Sequence, residues 1–114
     1  MKYSIVVSFS IEGFHCWPEA KEIFPEVGFL SDSHRHMFGF KCYAKVSHTD
    51  RDEEFILMQR RLKKQLRTNF NGNILQFGRM SCEDIGEWIL NNNPGYLYKV
   101  EVWEDWENGA IIER

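Results

Sequence analysis

Apolar and polar residues alternate near the start of the chain. Tyr3, Ile5, Val7, Phe9 and Ile11 fall on one side, with Ser4, Ser8, Ser10 and Glu12 on the other. A period of two predicts a half-buried strand from about Lys2 to Phe14. Trp17-Pro18 ends it, and Glu19 to Asp32 reads as a loop with a short helical turn near Glu19–Phe24. A second alternation follows, with His34, His36, Phe38, Phe40, Cys42, Ala44 and Val46 on one face and Arg35, Lys41 and Lys45 on the other. It predicts a long strand that stops in the polar cluster Ser47 to Asp52.

The period then becomes helical. Phe55, Met58, Leu62 and Leu66 form one stripe, with Thr49 or Asp50 as the expected N-cap. A second helix opens on Ser81 as N-cap, with Asp84 at the capping-box distance, and turns Ile85, Trp88 and Ile89 inward. Asn91-Asn92-Asn93-Pro94-Gly95 stops it. The last segment reads as a hairpin, with Tyr98, Val100, Val102, Glu104 and Trp106 on one face and a type I′ turn at Asn108-Gly109. The expected architecture is one α+β domain over residues 1–114. It is a four-stranded antiparallel sheet with two helices on one face, in the order ββααββ.

Composition narrows the class. With 43% hydrophobic and 27% charged residues the chain is globular and not disordered. A net charge of −3 gives no general basic field, so nucleic acid is not the expected partner. No stretch reaches the roughly 20 apolar residues of a membrane helix. Cys16, Cys42 and Cys82 are odd in number and form no C-x-x-C pair, which points to a reducing, cytoplasmic setting. One oddity is the supply of large rings, nine Phe, four Trp and four Tyr, for so short a chain.

Three groups of residues carry candidate chemistry. His34 and His36 are two apart on a strand and point the same way. His15, at the far end of the first strand, reaches them if the two strands form a hairpin, which would give three imidazoles for one zinc ion; the alternative is that His34 and His36 are ordinary polar residues at a strand mouth. His48 does not fit, since twelve residues of strand at ~3.3 Å each put it roughly 40 Å from His36. Glu104 continues an apolar parity, where a carboxylate needs a basic side chain or the paired N–H groups of a ligand, unless the sheet twists it into solvent. Cys82 sits in the first turn of a helix, where the dipole favours thiolate, although a buried, inert thiol is the simpler reading. The basic run Arg60 to Arg67 reads as a solvated helix face.

In this order along the chain, these groups resemble the 6-pyruvoyl-tetrahydropterin synthase and 6-carboxytetrahydropterin synthase family. His34-Arg35-His36 resembles its H-x-H motif, and Glu54-Phe55 its acidic-Phe helix opening. Met80-Ser81-Cys82-Glu83 resembles Pro-Thr-x-Glu, and Val100-Glu101-Val102-Trp103-Glu104 its closing strand. The resemblance implies the T-fold and a zinc cofactor on His15, His34 and His36. It also implies a pterin-type ligand held by Glu104, Ser81 and Glu83, and a homo-oligomeric ring such as a hexamer. The implied activity is that of a zinc-dependent carbon–oxygen lyase of the dihydroneopterin triphosphate class. Two catalytic positions depart from the family: Leu30 stands where it has Cys, and no Asp-His pair lies between the helices. Cys16 and Asp32 are the substitutes nearest in sequence. The alternative is a non-catalytic protein that holds a pterin, purine or nucleotide between subunits.

Overall fold

Two long strands form the spine of the molecule. In the computed structural model, which describes residues 1–114, β1 (Tyr3–His15) and β2 (His34–Val46) are antiparallel along their whole length. Tyr3 faces Val46 at one end and His15 faces His34 at the other. The loop between them folds as α1 (Ala20–Ile23) followed by a 3₁₀ turn over Pro25–Ser31. After β2 come α2 (Phe55–Asn69), β3 (Leu75–Gln76), α3 (Cys82–Asn91), β4 (Leu97–Glu104) and β5 (Asn108–Glu113).

The sheet order is β3-β1-β2-β4-β5. The four expected antiparallel strands are present, and the sheet gains a fifth. Leu75–Gln76 pairs parallel with β1 at Gly13 and Phe14. Two residues are too few to show a period, so no sequence pattern announced it. Val7, Phe9 and Ile11 of β1, Phe38, Phe40 and Cys42 of β2, and Val100 and Val102 of β4 bury one face of the sheet. Met58, Leu62 and Leu66 of α2 and Ile85, Ile89 and Leu90 of α3 close over the same face. Burial of these side chains at roughly 1.5–3 kcal/mol each is what holds the helices to the sheet.

Three local readings change. α2 is capped by Glu54, whose carboxylate accepts from the Leu57 N–H at 2.9 Å, not by Thr49 or Asp50. The preceding loop folds on itself instead, Asp52 accepting from both the N–H and the hydroxyl of Ser47. Phe55 consequently heads the helix exposed and outside the core. In β4, a bulge opposite Tyr43–Ala44 puts Leu97 into the core and turns Tyr98 to the other face, where its hydroxyl donates to Ser4. The final turn falls on Asp105–Trp106, both with positive φ (53° and 57°), closed by Glu107 N–H donating to the Glu104 carbonyl. Asn108 and Gly109 already belong to β5, where Gly109 is required: a Cβ there would lie 2.5 Å from the Val102 carbonyl oxygen. Trp106 therefore leaves the helix side and stacks on Trp103 across the opposite face.

That opposite face is covered by neither α2 nor α3. It carries Tyr43, Tyr98, Trp103 and Trp106, with Lys45 over Tyr98, Lys99 over Tyr43 and Lys41 over Trp106. No helix of the chain is long and apolar enough to cross a membrane.

Candidate metal centre

The antiparallel register of β1 and β2 brings three histidines to one end of the sheet. His15 faces His34 directly and Gly13 faces His36, so all three rings project toward the helix side. The absent side chain at Gly13 leaves room there, with Phe38 filling the space beneath. The ring centroids of His15 lie 4.6 Å from His34, 5.3 Å from His36 and 5.1 Å from Phe38. One ligating nitrogen from each ring lies within 4.8 Å of the others.

Each ring is fixed from behind. His15 Nδ1 donates to the Met80 carbonyl at 2.9 Å, and His34 Nδ1 to the Asp32 carbonyl at 2.8 Å. His36 Nδ1 donates to Asp105 Oδ2 at 2.8 Å. All three acceptors lack hydrogen, so the proton of each neutral ring sits on Nδ1 and the lone pair on Nε2 faces inward. Outer oxygen partners of this kind are what orient metal-ligating histidines. The Nε2 atoms of His15 and His36 are buried and have no hydrogen-bond partner. Orphaned buried nitrogens are costly unless something binds them. A divalent cation fits this donor set.

Glu104 approaches the same nitrogens. Its Oε2 stands 3.0 Å from His15 Nε2 and its Oε1 3.5 Å from His36 Nε2, contacts that become ion pairs only when a ring is protonated and that leave the hydrogen bonding of both nitrogens unmet. The basic side chains nearest its carboxylate are therefore imidazoles. Proximity to His15 holds the Glu104 carboxyl below its ordinary pKa against the opposing effect of burial, with His36 adding to it. Burial works against charge on His15, yet the Glu104 carboxylate and the Met80 carbonyl outweigh it and raise the pKa. Cys82 donates its thiol to Glu104 Oε2 at 3.7 Å. Burial first, then the Glu104 charge, pushes that thiol up to about 12. The helix-dipole argument for a thiolate is overruled here, and Cys82 is a protonated donor.

A cleft of about 420 Å³ opens beside the histidines. His15, His34, Glu104 and Cys16 line it, together with Ser81 and Glu83 at the start of α3. Ser81 also performs its expected capping, its Oγ accepting from Asp84 N–H at 3.0 Å while its own N–H donates to Asp84 Oδ2. Leu30 lines the cleft as well. Asp32 reaches the site only through its carbonyl, and the residue is exposed. His48 sits at the other end of β2 beside Asp52. Arg79, Trp17 and the Met80 carbonyl were not legible in advance, because a backbone oxygen carries no residue signature and the first two belong to irregular segments.

No family model matches the chain, and no curated protein matches it in sequence. Solved structures do match. A 6-pyruvoyl tetrahydropterin synthase from Caenorhabditis elegans superposes with a TM-score of 0.74 at 15% identity, over 100% of this chain and 96% of that one. The enzyme of the same name from Plasmodium falciparum gives 0.64 at 13%, over 99% and 98%. An uncharacterised protein from Wolinella succinogenes gives 0.67 at 14%, over 100% and 99%. Matches that span both chains almost completely leave no large element unaccounted for. The fold of this chain is the T-fold of the 6-pyruvoyl tetrahydropterin synthases, in a divergent sequence.

Proposed function

We propose that the cleft binds a pterin-type heterocycle beside a zinc ion held by His15, His34 and His36, and that the protein acts as a divergent, zinc-dependent relative of 6-pyruvoyl tetrahydropterin synthase. The observation that carries this reading is the trio of inward Nε2 atoms, each ring braced at Nδ1 and two of the three nitrogens buried without a partner. Zinc held there supplies Lewis acidity toward an oxygen of the bound molecule.

The remaining roles belong to the chain itself. Glu104 is ionised and able to accept two parallel N–H groups from a guanine-like ring edge. Glu83 offers a second carboxylate on the cleft wall, and Ser81 lines the same wall at the capped start of α3. Of the two substitutes for a proton-transfer group, Cys16 lines the cleft and Asp32 presents only its carbonyl, so the role falls to Cys16. A ring of subunits is part of the proposal. It is supported by the aromatic sheet face left uncovered, and by exposed Val6 and Ile111.

Titrating zinc-loaded protein with neopterin and with dihydroneopterin triphosphate tests this. Saturable binding that weakens at least tenfold in Glu104→Gln, with turnover of the triphosphate, is the expected result. Binding without turnover would make the protein a non-catalytic holder, and no binding of either compound would overturn the assignment.

A further inference from the structure

The turn between β4 and β5 is an unusual place to find a tryptophan. Asp105 and Trp106 both occupy the left-handed region, at φ 53° and 57°. Aspartate tolerates that conformation, but for a bulky residue it is a genuine outlier that the surrounding structure has to hold in place. Two features hold the turn in place. The Trp106 indole lies across Gly39 so closely that a Cβ there would stand 2.3 Å from it. Its Nε1–H donates to Ser10 Oγ at 2.9 Å, tying the turn to β1 on the uncovered face.

What the strained turn achieves is the placement of one carboxylate. Asp105 Oδ2 accepts from His36 Nδ1 at 2.8 Å, and Oδ1 accepts from the Met37 N–H at 2.9 Å. The Asp105 N–H donates back to the Met37 carbonyl at 2.9 Å. The carboxylate is therefore clamped to the backbone of β2 immediately beside the ring it orients.

We propose that Asp105 is a positioning residue for the metal centre. It fixes His36 as the Nδ1–H tautomer with Nε2 turned toward His15 and His34, and the Trp106–Gly39 contact is the anchor that keeps it there. Both carboxylate oxygens are in use, so an amide, with a single acceptor oxygen, can serve only one of its two donors. The inference rests on the metal reading above, and the test separates the two.

The experiment compares wild type, Asp105→Asn, Gly39→Ala and His34→Ala. Zinc affinity is measured by chelator competition, and the His36 tautomer is read from ring ¹⁵N shifts in the metal-free protein. Asp105→Asn is expected to weaken zinc roughly 10- to 100-fold and to shift His36 toward a mixture of tautomers. Gly39→Ala, which touches neither His36 nor the metal ligands, is expected to do the same by displacing Trp106. A wild type that binds no zinc defeats the metal reading, while the tautomer measurement still judges Asp105. If His34→Ala loses zinc, yet Asp105→Asn and Gly39→Ala keep wild-type affinity and a pure Nδ1–H tautomer, the positioning role is wrong. A variant that lowers the unfolding temperature while leaving His36 and the zinc affinity unchanged marks the turn as structural only, which also overturns it. Should either variant fail to fold, the other decides.

Discussion

His15, the last residue of β1, donates its Nδ1–H to the carbonyl of Met80, 65 residues further along the chain and just before the capped start of α3. This one bond ties the sheet end that carries the three histidines to the wall of the cleft that carries Ser81 and Glu83. Metal binding and order at the start of α3 should be linked. Zinc in thousandfold excess over its dissociation constant should stabilise the fold by about 4 kcal/mol. His15→Ala should lose that increment, and chelator-treated and zinc-loaded samples compared in urea would show it.

Gly86 in α3 should respond to alanine against its helix propensity. In an exposed helix the change would gain about 1 kcal/mol. Here a Cβ would lie 2.4 Å from Ile112 Cδ1 and 3.0 Å from Cγ1, so overpacking should cost about 1–3 kcal/mol. Gly86→Ala should cost less in an Ile112→Ala background than in wild type, as a double-mutant cycle in urea would reveal.

The three thiols should differ in reactivity. Burial pushes Cys42 up to about 12, and burial with the Glu104 charge does the same to Cys82. Only Cys16 is less than buried, and it lines the cleft. Iodoacetamide on the native protein at pH 8 should label Cys16 first, with peptide mass mapping as the readout. A bound pterin should slow that labelling.

Glu53 should contribute a measurable acid dependence. Its Oε1 accepts from Arg61 at 2.6 Å and from the Tyr96 hydroxyl at 2.8 Å, joining the loop before α2 to the chain before β4. Burial opposes the charge, but Arg61 and Tyr96 outweigh it, so the carboxyl titrates below its ordinary value of 4.5. A folded pKa below the unfolded one gives stability that is complete above the unfolded value. It is lost as pH falls through the folded value. Glu53→Gln should cost about 0.5–1 kcal/mol at neutral pH, given how exposed Arg61 is, and should flatten the decline in stability below about pH 5.

Much of this architecture is written in the alternation of single residues. The pairing of His15 with His34 followed from two strands of matching period joined by one loop, and that pairing brings the three imidazoles together. Ser81 and Asp84 announced α3 through a local capping box, which needs no tertiary information. What the sequence hid depended on contacts distant in the chain. β3 exists because Leu75 completes the core against β1, not because two residues form a pattern. The turn moved from Asn108-Gly109 to Asp105–Trp106 because the indole finds Gly39 and Ser10, and the carboxylate finds His36. Tyr98 left its expected face because a bulge shifts register by one residue, and no alternation can foretell that. The large rings divide between a packed core, where Phe9 stacks on Phe40 at 5.2 Å, and the uncovered face, where Trp103 stacks on Trp106 at 6.4 Å.

If the three braced imidazoles hold a metal, the ion should travel with the purified protein. Native mass spectrometry with elemental analysis, on protein purified without added metal or chelator, tests it most directly. One zinc per chain in wild type, and none in His34→Ala or His36→Ala that retain the wild-type circular dichroism spectrum, is the predicted result. Wild-type protein that carries no metal and takes up none from a zinc-containing buffer would contradict it.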